Sequence, residues 1–226
     1  MNPTPLPQAS EITAFHDRLL ASSGWPNEQT APPHGEGDGE MRELWPWLQA
    51  NHRFNSLLWA EEDLARRTTV SEVEIAGNKR AIDKYNQARN DATERIDEIL
   101  LVALGLVSAE SARSVSPLSQ APTGARLNSE TAGSMIDRLS IMALKINAMG
   151  QQTIRSDVDE AHRAASAVKL GRLQQQRSDL AACLDTLLAD AAAGRAYFKV
   201  YRQFKMYNDA RFNPELVKEQ AASTRA

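Results

Sequence analysis

The chain has 226 residues, 42% hydrophobic and 24% charged, with 26 Lys and Arg against 29 Asp and Glu, a formal charge of −3 at pH 7. That balance argues against a general nucleic-acid binder, which needs a basic surface, and the single Cys183 excludes an intrachain disulfide framework and a Cys-rich zinc site. No apolar run approaches the ~18 residues that cross a bilayer, and MNPTPLPQAS lacks the basic and apolar regions of a signal peptide, so a cytoplasmic protein without membrane insertion is expected.

Residues 1–40 read as a tail, a short helix and a linker. Three prolines within residues 1–11 oppose regular structure. Ile12, Phe15, Leu19 and Leu20 then share one side of a helix that should lie against a bundle. NEQTAPPHGEGDGE, at 27–40, is rich in Pro, Gly and acid and reads as a linker with His34 in solvent.

Residues 41–210 carry the long helical patterns. The first starts near Pro46, since proline suits a first turn and displaces Trp45 from helical geometry, and runs to about Arg67. Its apolar arc holds Trp47, Phe54, Leu57, Leu58 and Ala65, yet Asn55, Glu61 and Glu62 fall inside the arc, with His52, Trp59 and Asp63 at its edge. The capping box Ser71-Glu72-Val73-Glu74 opens a second helix that continues to about Leu104, roughly 50 Å. Arg89 lies in the middle of its apolar stripe and Asn86 at the border. Asp83, Gln87, Asn90, Glu94 and Asp97 form a row that reads as a solvated face.

Residues 106–130 form a long crossover or mobile loop. Thr131 caps a helix whose stretch Ser134–Met149 is apolar in nearly every direction, so it reads as central, buried and ending at Gly150. Asp137, Arg138 and Lys145 stand within it, and enclosed charges need partners. The fourth helix starts at Ser156 and carries the seam Leu170, Leu173, Arg177, Leu180, Leu184, Leu187 and Ala191 up to Gly194, with Cys183 expected as a buried inert thiol. A last helix is expected from Tyr197, Val200, Tyr201, Phe204 and Tyr207 interleaved with Lys199, Arg202 and Lys205; residues 211–226 are a tail. No alternating strand stands out. The expected fold is all-α, an antiparallel bundle of about four long helices with short terminal helices.

Three blocks, NHRFNSLLWAEEDLARR at 51–67, KRAIDKYNQARNDATERID at 79–97 and TAGSMIDRLSIMALKI at 131–146, together with KVYRQFKMYND at 199–209, resemble the uncharacterised bacterial family known as domain of unknown function 4254. The resemblance implies a helical cytoplasmic protein, often encoded beside glycosyltransferases and other genes of cell-surface polysaccharide synthesis. It supplies no catalytic residues. Ala132 departs from the proline expected after the capping Thr, which bears on helix initiation rather than chemistry.

Three functional readings compete. In the first, Arg89, Arg138 and Lys145 grip a phosphorylated or nucleotide-linked sugar while Asn55, Asn86 and Asn90 bind its hydroxyls, and Glu62 or Asp137 orients the cations or acts as base; alternatively these charges only pair with one another. In the second, Glu61 and Glu62 face Glu94 and Asp97 around Mg²⁺ in a nucleotide pyrophosphohydrolase, the only reading that calls for a cofactor. His52 and His162 lack a zinc pattern. In the third, the leucine seam of the fourth helix pairs with another copy or a glycosyltransferase, and burial of that seam within the chain would count against it.

Overall fold

The helical periodicities resolve into two long antiparallel helix pairs that share one core. The computed structural model describes residues 6–28, 39–203 and 209–223, and it is all-α. Its elements are α1 (Ala9–Ala21), a 3₁₀ turn (Gly39–Glu43), α2 (Leu44–Leu64), α3 (Glu72–Ala103), α4 (Ala109–Ala112), β1 (Arg126–Leu127), α5 (Ala132–Thr153), α6 (Glu160–Ala192), β2 (Ala196–Tyr197) and α7 (Pro214–Ser223). His34 lies outside the described residues. No helix among those described is long and apolar enough to cross a membrane.

Local chemistry explains the boundaries. α3 begins where Ser71 Oγ accepts the Glu74 N–H (3.3 Å) and Glu74 Oε2 accepts the Ser71 N–H (3.2 Å), closing both halves of a capping box. α2 starts two residues before Pro46 because the first amides of a helix have no intrahelical acceptor, so a missing N–H in that turn costs nothing. α5 is capped by Thr131, whose Oγ1 accepts the Ser134 N–H at 3.1 Å, and it continues three residues beyond Gly150. α6 is capped by Asp159 rather than Ser156, and Gly194 at φ +70° ends it.

The core is built from Leu44 and Leu48 of α2, Ile96, Ile99 and Leu100 of α3, Ile136 and Leu139 of α5, Leu184 and Leu188 of α6, and Phe198. α1 belongs to the same core through Ala9, Ile12, Phe15 and Leu19. The α6 seam is spent inside the chain: Leu180, Leu184, Leu187 and Ala191 are buried, with Leu170 and Leu173 half-buried. Cys183, expected to be buried, is exposed, because it falls just outside the arc those leucines define.

Two expectations fail for packing reasons. The row on α3 is solvated only in part: Asp83 and Gln87 are exposed and Glu94 is half-buried, while Asn90 and Asp97 are buried, Asp97 within the run from Ile96 to Leu101 that is enclosed on every side. Residues 196–203 are not helical. β2 pairs in parallel with β1, with Arg126 N donating to Arg195 O (2.9 Å) and Asn128 N to Tyr197 O (2.8 Å). Ala196, Phe198 and Val200 are buried in alternation, the period of an extended chain. Fully burying Phe198 contributes about 2–3 kcal/mol to holding this segment extended. Phe204, Lys205 and Tyr207 lie outside the described residues.

A candidate ligand cleft beside a buried polar network

α2 and α3 run antiparallel, with Glu61 beside Asn78 at one end (Asn78 Nδ2 donates to Glu61 Oε2, 2.7 Å) and Asn51 beside Thr93 further along (3.1 Å). α5 lies across both and runs in the direction of α2. Asn51 meets Asp137, Asn55 meets Ser140, and one turn on Leu58 and Trp59 line one cavity with Ile141 and Leu144. The face of α2 that enters the bundle is therefore polar: Gln49, Asn51, His52, Asn55 and Ser56 are buried with Leu44, Leu48 and Leu58. His52, placed by periodicity at the edge of the arc, is wholly buried.

These side chains form one network. Asp137 Oδ1 accepts from Asn51 Nδ2 and Asn55 Nδ2, each at 2.8 Å, and Arg89 Nε lies 4.0 Å away. Asn55 Nδ2 also donates to Ser140 Oγ (3.0 Å), and Ser140 Oγ is 2.8 Å from His52 Nδ1. With Asn55 as donor to Ser140 Oγ, the Ser140 hydroxyl donates to His52 Nδ1, which leaves the ring proton on Nε2, an atom without a hydrogen-bond partner. Burial pushes His52 down to about 3, so the ring is neutral.

Beyond Asn55 the network opens into a cavity of about 320 Å³. Leu58, Ile141 and Leu144 make its apolar side and Trp59 adds an indole; Asn55, Asn86 and Arg89 make its polar side, with Glu62, Asp63 and Arg66 at the end of α2. Arg89 bridges network and cavity. Its Nη2 donates to Asn90 Oδ1 (3.0 Å), while Nε is buried with no hydrogen-bond partner and faces Asp137 only at 4.0 Å. Arg66 differs, since its Nη1 already binds Glu62 (2.7 Å) and both side chains are exposed.

The expected site residues thus divide. Asn55, Glu62, Asn86 and Arg89 line the cavity, Asn90 supports Arg89, and Asp137 anchors the network behind it. Arg138 and Lys145 do not join them. They lie with Met142, Gln176, Asp179 and Leu180 along a second groove of about 530 Å³ between α5 and α6, and Arg138 pairs with Glu130 across 2.5 Å. Their seven-residue spacing keeps them on one side of α5, but that side faces α6 rather than α3.

The four acids of the hydrolase reading do not converge. Glu61 binds Asn78, and the sixteen residues from Asn78 to Glu94 span about 24 Å of helix. Glu94 is held by Arg202 at 3.0 Å, and Asp97 accepts the Gly133 N–H at 2.6 Å. Among the described residues no group of three or more His, Cys, Asp or Glu is placed to hold a metal ion. Asn51, Ser140 and His16, which stacks on His52, escape a periodicity reading because they are polar residues on core-facing arcs. The i, i+4 pair Asn51–Asn55 was the signal available for Asn51; Ser140 and His16 carry none.

A family model for a protein of unknown function, DUF4254, matches residues 45–200. The chain belongs to this family. The matched span takes in every DUF4254 residue that lines the cavity and the network from Asn51 to Leu144; α1, with His16, lies outside it. No curated protein and no solved structure matches the chain.

Proposed function

We propose that the cavity between α2, α3 and α5 binds a phosphorylated or nucleotide-linked sugar, and that the protein serves cell-surface polysaccharide or glycan biosynthesis in the cytoplasm. The observation that carries the ligand reading is Arg89, a guanidinium that lines a 320 Å³ cavity with its Nε buried and free of hydrogen bonds. Buried donors are ordinarily paired, and a phosphate or carboxylate oxygen is the strongest partner a guanidinium takes. Asn55 and Asn86 supply amides suited to hydroxyl groups, and Trp59 with Ile141 and Leu144 supplies an apolar wall for a sugar ring or base. Asp137, with Oδ1 already accepting from two amides, holds Arg89 in position and is not the proton acceptor of choice; Glu62, at the rim, is. The glycan setting rests on the family resemblance alone. Burial of the α6 seam within the chain argues against the partner-protein reading.

The test is thermal unfolding against nucleotide sugars, sugar phosphates and nucleoside triphosphates, each with and without Mg²⁺. A ligand at 100 times its Kd adds about 2.7 kcal/mol. A metal-independent shift from a nucleotide sugar or sugar phosphate is expected, with Arg89→Met weakening that ligand about 10- to 100-fold while the unliganded protein remains folded. A shift seen only with Mg²⁺ would favour a hydrolase. No shift across the panel would overturn the ligand reading and move the protein to the assembly class.

A further inference from the structure

His16 is an anomaly in the core. It is fully buried on α1, and both of its ring nitrogens lack a hydrogen-bond partner. Its ring stacks on His52 with centroids 4.5 Å apart and planes 24° from parallel, and Trp25 also stacks on His52 at 5.5 Å. His52 Nδ1 is engaged by Ser140, while Nε2 faces the His16 backbone without reaching hydrogen-bond geometry. Two imidazoles so placed can stay in the core only while neutral. A proton on either would put a cation in a dry site with a second titratable ring in contact and no carboxylate hydrogen-bonded to it.

The charged groups on the surrounding elements do not relieve this. Arg177 of α6 has the same sign as an imidazolium and is held by Asp17 of α1 at 2.7 and 2.9 Å. Asp185 of α6 accepts the Ala9 N–H at 2.8 Å. Arg53 of α2 donates to Pro26 O at 2.8 Å, and Asp137 of α5 is occupied by Asn51 and Asn55. Burial accordingly holds His16 well below its ordinary value, with the nearby His52 and Arg177 adding to the effect.

We propose that the stacked His16–His52 pair is an acid-released latch that fastens α1 to the bundle. With both rings neutral, α1 lies with Ile12, Phe15 and Leu19 in the core. Once α1 leaves, both rings meet water and bind protons at their ordinary pKa, so acid favours the open form while α3, α5 and α6 stay folded. Although His52 belongs to the network behind the cavity, the inference does not rest on the ligand reading, because it is read from the protection of α1 in the unliganded protein.

Hydrogen exchange of the full chain, followed peptide by peptide and corrected for intrinsic rates, reads the opening directly. Between pH 7.5 and 5.0, one histidine titrating near 6.5 only in the open form raises the opening constant about 30-fold, and two raise it about 900-fold. The wild-type α1 peptide is expected to approach the larger factor while peptides covering 96–101 keep their protection. His16→Phe, which preserves an aromatic stack, and His52→Asn, which keeps an acceptor near Nδ1, should each reduce the dependence to about 30-fold. The double variant should lose it. An α1 protection that does not change with pH, or one that falls in step with residues 96–101, would overturn the latch. So would single variants retaining the full wild-type dependence.

Discussion

A carboxyl group without water around it keeps its proton. Burial pushes Asp97 up to about 7, against the pull of hydrogen bonds from Thr131 and Gly133 and with the charges of Glu94 and Glu98 adding to the rise. In the unfolded chain the same group ionises near 3.9. Folding therefore favours the protonated form: the stability it confers is whole below about pH 4 and is lost as pH rises towards 7, at no more than about 1.4 kcal/mol per pH unit. Asp97→Asn keeps an acceptor for the Gly133 N–H and removes that slope. The histidines act alike in both proteins, so the urea midpoint of the variant is expected to gain on that of the wild type as pH rises from 4 to 7 and to exceed it at pH 8. A difference between the two midpoints that does not change across that window would show that another group is responsible. The histidine pair works with the opposite sign, because its neutral rings are favoured in the fold and its contribution is lost as pH falls through 6.5.

At the scale of the elements, α5 is seated by one close approach. A Cβ on Gly133 would stand 2.6 Å from Thr93 O and 2.9 Å from the Asp97 carboxyl, so α3 and α5 touch there through backbone. Gly133→Ala should cost about 1–3 kcal/mol, read as a drop in denaturant midpoint, because neither helix can give way. Gly77→Ala and Gly171→Ala, in helices with nothing within 4 Å, should instead gain about 0.5–1 kcal/mol each. Most helix positions were legible in the sequence because caps and repeats are local: Ser71, Thr131 and the leucines of α6 mark their elements without reference to anything else. The register of α2 was less so. A periodicity reading equates apolar with buried, and α2 turns Asn51, His52, Asn55 and Ser56 inward because α1, α3 and α5 bring partners that no local pattern records. Residues 196–200 fit both a helical and an alternating pattern, and only the strand partner at 126–127 decides between them. The cavity residues Asn55, Asn86 and Arg89 stood out as polar groups within or bordering apolar stripes; that Arg138 and Lys145 serve another groove depends on which neighbour α5 turns them towards.

Over the whole molecule, one arginine secures the segment after β2 to the bundle. Arg202 donates to Glu94 (3.0 Å), Glu98 (2.6 Å), Ala112 O (2.7 Å) and Ser114 O, drawing the segment after β2 onto α3 and α4. Glu98 is buried, and its other cation is Arg95 at 2.8 Å. Arg202→Met should cost about 2–4 kcal/mol, since it leaves carboxylates poorly compensated, and calorimetry should show a Tm lowered by roughly 4–12 °C. A change within 1 °C would mean that Arg95 alone satisfies Glu98. The two-residue bridge between β1 and β2 has a larger mechanical effect than its length suggests. It joins the chain just before α5 to the chain just after α6, so this helical hairpin is anchored at its open end like a cantilever. Its far end is closed by the turn between the two helices, where Gln152 meets His162 and Arg163 donates to Val158 O, and between Glu160 and Leu180 only Ser166 is buried. Displacement of such a beam grows with distance from its anchor. Leu144, on the cavity wall, sits partway along it, so a bend of the hairpin as one body would change the width of the cleft, while the anchored end keeps the core closed.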